Sequence, residues 1–121
     1  MSDIEHFLNR IRNGEHVSFA ETQSLIACNY QYTPVRFATG LGSDRVENEA
    51  GNNEGSCKIL SFAKLQHLDP NATLRLFGDY YWVDVLRHPE AENHRNLRNL
   101  MRYGWEGVVF SAPALSPLKP E

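Results

Sequence analysis

Helix-start signals recur so closely along this chain that they leave room for little else. Ser2-Asp3-Ile4-Glu5 reads as a capping box, and Ser18-Phe19-Ala20-Glu21 repeats the pattern. Asn52 or Asn53 precedes a third apolar run. Asp69-Pro70 sets a cap before a proline at the first helical position, and Asn93 precedes a fifth run. Apolar residues follow at helical spacing: Ile4, Phe7, Leu8 and Ile11, then Leu25 and Ile26 with Thr22 and Asn29, then Leu74, Phe77, Tyr81 and Val85. The spacing predicts helices ending near Gly14, over about 18–30, from 52 or 53 to about 66, from 70 to His88-Pro89, and over about 94–103. Gly78 is a kink candidate in the fourth, and Gly104 is a left-handed C-cap for the fifth, with Trp105 free to pack back.

Only short strands fit between these helices. TPVRFAT (33–39) alternates, Gly40 to Asp44 turns, and Arg45 to Asn48 reads as a return strand. Val108, Val109 and Phe110 suggest a last one. The expected fold is α+β: a single, mainly helical domain of about five helices with a small antiparallel sheet over residues 1–115. Two prolines in SPLKPE mark 116–121 as a flexible C-terminal tail. A chain of 121 residues can bury one core without metals or disulfides.

The net charge of −3 speaks against nucleic acid as a partner, although Arg87, Arg95, Arg98 and Arg102 make one stretch locally basic. Two isolated cysteines, Cys28 and Cys57, form neither a disulfide framework nor a CxxC zinc pair, and they fit a reducing compartment. No apolar stretch approaches the ~20 residues that span a bilayer. The N-terminus lacks the basic start and apolar block of a secretory signal, so a cytoplasmic location is expected, with no membrane partner.

Two stretches concentrate chemistry. NNEGSCK (52–58) puts Asn53, Glu54, Ser56, Cys57 and Lys58 at a helix start, where free backbone amides favour negative charge. That position and a neighbouring lysine both lower a thiol's pKa. Gly55 there signals close approach by another segment or a ligand. HPEAENHRNLR (88–98) brings His94 and Arg98 to one helix face, flanked by Asn96. Arginine offers a bidentate fork for phosphate or carboxylate, and histidine a tunable proton. The functional reading joins the two stretches into one site. Cys57 is the nucleophile or His94 the general base, and Asn53, Glu54, Ser56, Lys58, Asn96 and Arg98 bind the ligand. The structural reading spends the same groups on capping and ion pairing, with Cys57 a buried small apolar side chain and Glu54 paired to Arg98 or Lys58. His88, Glu90 and His94 suit a divalent ion by type, but their spacing matches no metal motif, so no metal site is assigned. No GxSxG elbow occurs, Gly40-Leu41-Gly42 is too short for a dinucleotide or P-loop fingerprint, and no cofactor is implied.

NNEGSCKILSFAKL (52–65), LFGDYYWVDVL (76–86) and HPEAENHRNLRNLMRYGWEGVVF (88–110) together resemble the HopJ type III effector family. With Tyr32, Pro34, Phe37 and Gly40 upstream, the resemblance runs from about residue 30 through most of the chain. Asn53 to Lys58, His94, Asn96 and Arg98 match the family pattern. His88, Ala91 and Asn93 stand where that pattern has Asn, Gly and Asp, and Trp82 stands at a basic position. The resemblance implies a bacterial protein delivered through type III secretion and specifies no activity, substrate or cofactor. A small anion, or a host or bacterial protein, is the partner the motifs point to.

Overall fold

The structure, a computed structural model, describes residues 3–118. Helix α1 (Asp3–Arg12) buries Phe7, Leu8 and Ile11, with acids in its first turn and arginines in its last, as the helix dipole favours. The capping box expected at Ser2 lies outside the described residues. The second is present: Ser18 Oγ accepts from the Glu21 amide at 3.0 Å, and Glu21 Oε1 accepts from the Ser18 amide at 3.1 Å. It opens α2 (Phe19–Asn29). Arg10 pairs with the same Glu21 at 2.8 Å and ties α1 to the start of α2.

Strand β1 (Tyr30–Tyr32) follows α2 without a turn, just where the sequence pattern ended the helix and indicated no strand. It pairs antiparallel with β5 (Leu115–Pro117), Tyr30 opposite Pro117 and Tyr32 opposite Leu115. Ser116 and Pro117 are thus strand residues. Proline is tolerated because a two-stranded sheet leaves each strand an open edge.

The second sheet has β2 (Phe37–Thr39) at its centre, flanked by β3 (Val46–Asn48) and β4 (Val109–Phe110), all antiparallel. A single 3-10 turn, Gly42–Asp44, joins β2 to β3. The expected hairpin and final strand are therefore present, β2 starting at Phe37 in place of Thr33 and β3 and β4 each one residue shorter than the pattern allowed.

Helix α3 (Glu54–Leu65) is the core helix: Cys57, Ile59, Leu60, Phe62 and Ala63 are at most 1% exposed. Helix α4 (Pro70–Arg75) starts as expected, with Asp69 Oδ1 accepting from the Ala72 amide at 2.7 Å. It does not continue to residue 88. Gly78 adopts φ +62°, and a π-helix, Tyr80–Val85, carries on after the break. The cause is crowding. A Cβ at Gly78 would lie 2.7 Å from the Phe19 backbone nitrogen, so the chain passes the start of α2 as bare backbone.

Helix α5 (Arg95–Tyr103) lays Leu97 and Leu100 on the core and Asn96 and Asn99 on β2 and β3. Gly104 ends it with φ +63°. Trp105 packs across the fold, its Nε1 donating to the Leu68 carbonyl at 2.9 Å.

Candidate functional site

The starts of α3 and α5 meet through Asn48 of β3. Asn53 Nδ2 donates to Asn48 Oδ1 at 2.7 Å, and Asn96 Nδ2 donates to the same oxygen at 3.0 Å. Asn48 returns a bond to Asn96 Oδ1 at 3.2 Å. Thr39 Oγ1 donates to Asn96 Oδ1 at 2.6 Å, and Asn99 Nδ2 reaches Thr39 and the Asp44 carbonyl. Thr39, Asn48, Asn96 and Asn99 are all buried. A buried amide that finds its partners adds stability and fixes geometry, whereas one that loses them is costly. Asn53 and Asn96 are thus joined through Asn48 as a lock between two helix ends and a sheet.

Both helices begin in the same unusual way. Asn53 has φ 54° and ψ 46°, and His94 has φ 52° and ψ 47°, and neither side chain caps the amides of its helix. In place of capping α5, Asn93 accepts from Arg98 Nη2 at 2.9 Å through its side chain.

Arg98 is a staple. Its guanidinium also donates to the carbonyls of Asn93 at 2.6 Å, His88 at 2.9 Å and Asp84 at 3.3 Å. A fixed fork of donors thus closes the loop between the π-helix and α5. His94 Nε2 lies 3.0 Å from Asp84 Oδ2, and its ring sits 5.2 Å from that of Tyr80. A carboxylate that orients an imidazole is the arrangement of a general base with its positioning group.

The remaining residues of the first stretch look elsewhere. Lys58 Nζ lies 4.7 Å from the centre of the Tyr32 ring. Cys57 is 1% exposed, among Tyr32, Val35 and Ser61. Burial pushes its thiol pKa up, and the nearby Tyr32 and Ser61 hydroxyls offset this only in part. Burial also raises the Tyr32 hydroxyl, with the Cys57 and Glu54 charges adding to the effect. Glu54 is exposed and Ser56 half-buried in the first turn of α3. Gly55 is explained by Phe19: a Cβ there would fall 2.5 Å from Cζ of the ring.

Cys57 and His94 therefore face different neighbours, and no thiol–imidazole pair forms. The helix-start effect on a thiol fails here because desolvation of the thiolate outweighs it. In the native protein, iodoacetamide is expected to alkylate exposed Cys28 and to leave Cys57 unmodified until denaturant is added. Modification of both at equal rates would show an accessible thiolate at position 57.

A groove of about 810 Å³ runs along α5, where three arginines, Arg95, Arg98 and Arg102, outnumber two acids, Asp44 and Glu92. Arg102 pairs with Asp44 at 3.0 Å, and the Tyr103 hydroxyl donates to the same carboxylate at 2.6 Å. That hydrogen bond, with Arg102 and Arg95 nearby, holds the Asp44 carboxyl below its ordinary range. Arg95 is exposed and makes neither an ion pair nor a hydrogen bond among the described residues. Among those residues no group of three or more His, Cys, Asp or Glu is placed to hold a metal ion, and no helix is long and apolar enough to cross a membrane.

Sequence reasoning missed Thr39, Asn48, Asp84 and Asp44. For Asn48 a signal existed. Alternation along β3 puts it on the same face as Val46, turned inward. Nothing local marks Asp84 as the partner of His94, ten residues on.

Fold and site together define a small α+β domain whose two polar stretches meet through Asn48, with Asn53 and Asn96 engaged there. The model of the HopJ type III effector protein family matches residues 4–115, and the chain belongs to that family. The structure is similar to the crystal structure of VPA0580, a protein of unknown function. Identity is 41% over 96% of this chain and 94% of that one, with a TM-score of 0.89. No curated protein matches the chain.

Proposed function

We propose that this protein binds a small anion, a phosphate or carboxylate group, in the groove along α5. The observation that carries the reading is Arg95, an exposed guanidinium with no ion pair or hydrogen bond among the described residues, on the same groove as Arg98 and Arg102. Arg102 is half neutralised by Asp44, and Arg98 is held by carbonyls, which leave its positive charge uncompensated. Backbone carbonyls fix a guanidinium in place without cancelling its charge, so the Arg98 staple preorganises the wall of the site. Asn53 and Asn96 support it from behind by locking α5 to the sheet. The effector role implied by the family name calls for a recognition surface in the recipient cell, and an anion groove is one.

Inorganic phosphate titrated at constant ionic strength tests this. At tenfold above its dissociation constant, a bound anion raises stability by about 1.4 kcal/mol. Wild type is expected to show a saturable rise in thermal midpoint. Arg95→Glu, at an exposed position that makes no ion pair or hydrogen bond among the described residues, is expected to lose it. An equal rise in both proteins, or none in wild type, would refute the reading.

A further inference from the structure

A second cavity lies away from α5, between the C-terminal half of α3 and the segment joining β4 to β5. Its volume is about 570 Å³, within the range of small-molecule sites. Leu65, Phe110, Pro113 and Leu115 make it mainly apolar, and Ser61, Lys64 and His67 supply its polar atoms. Among the described residues no acidic side chain lines it, in a chain whose net charge is −3.

Two features are unexplained by folding alone. Ser61 is only 7% exposed, and among the described residues its Oγ makes no well-formed hydrogen bond, with only the Cys57 thiol, a weak partner, beside it. A buried hydroxyl left in this state costs on the order of 1–3 kcal/mol, which a ligand acceptor would recover. Leu65 is 49% exposed on the most deeply buried helix of the fold, at the groove's edge. Lys64 leans across the groove, its Nζ 5.6 Å from the centre of the Phe110 ring.

We infer that this groove binds a small amphiphile, an apolar chain ending in a carboxylate. The apolar walls take the chain. The Ser61 hydroxyl donates to a carboxylate oxygen, and Lys64, with His67 at the same rim, supplies the opposite charge. A purely hydrophobic partner would leave Ser61 unpaired and would gain nothing from a rim free of acids.

Octanoate titrated into the full chain, followed by calorimetry with octanol as comparator, tests the proposal. Octanoate is expected to bind roughly tenfold more tightly than octanol, with Lys64→Glu and Leu65→Asp each weakening it by roughly tenfold. Ser61→Ala is expected to weaken binding several-fold while its ligand-free thermal midpoint holds or rises, because the unpaired hydroxyl is gone. Arg95→Glu is expected to leave octanoate binding unchanged. Loss of binding in Arg95→Glu would put the carboxylate in the α5 groove and overturn the proposal. Equal binding of octanol, affinities unchanged in the groove variants, or no saturable binding would do the same. So would wild-type dimerisation in sedimentation that Leu65→Asp abolishes, which would make the groove a contact between copies.

Discussion

Asn96→Ala is expected to destabilise the protein by about 3 kcal/mol, because it leaves the buried Thr39 hydroxyl without its acceptor and takes one partner from each end of the Asn48 amide. Thr39 Oγ1 and Asn48 Nδ2 lose their shared acceptor, and Asn48 Oδ1 loses one of its two donors. Thr39 is fully buried and Asn48 only 3% exposed, so water does not readily replace the lost partner. Urea unfolding should show the change in midpoint at constant slope, and the thermal midpoint should fall by on the order of 10 °C. Arg95→Ala, one residue away on the solvent face, serves as the control, with an expected effect within about 0.5 kcal/mol. Equal costs for the two would mean that the asparagine lock contributes little.

Gly78→Ala is expected to cost about 3 kcal/mol or more. A φ of +62° strains any residue with a Cβ, and that Cβ would sit 2.7 Å from the Phe19 nitrogen and 3.0 Å from the Val17 carbonyl oxygen. Both neighbours are backbone, so neither can rotate away. The loss should appear first at the junction of the capping box and the π-helix, as faster amide exchange there than in α3. A cost below about 1 kcal/mol would show that the start of α2 can move aside.

Local chemistry was legible wherever the partner lay within a turn. Ser18 with Glu21 and Asp69 with Pro70 need no distant residue to begin a helix. Helical spacing likewise named Phe7, Leu8, Ile11, Leu74, Phe77, Tyr81 and Val85, all buried. Strand positions were legible through alternation, but lengths were not, because pairing decides where a strand ends. Tyr30 to Tyr32 became a strand because Leu115 to Pro117 lies alongside them, a partner more than 80 residues away.

Helix starts, the hairpin, the family resemblance and the two polar stretches were legible in the sequence, since capping and periodicity act over three or four residues, whereas the break of the fourth helix at Gly78 was set by its packing on Phe19. The sequence by itself also determined that the starts of α3 and α5 carry more polar groups than capping requires. Only the tertiary structure decided what those groups do. Asn53 and Asn96 reach for Asn48, Arg98 closes the loop before its own helix, and His94 takes Asp84. Cys57 turned into the core, where desolvation of a thiolate outweighs the pull of a helix start. A side chain's pKa and partners depend on what the fold packs around it, and spacing along the chain does not carry that information.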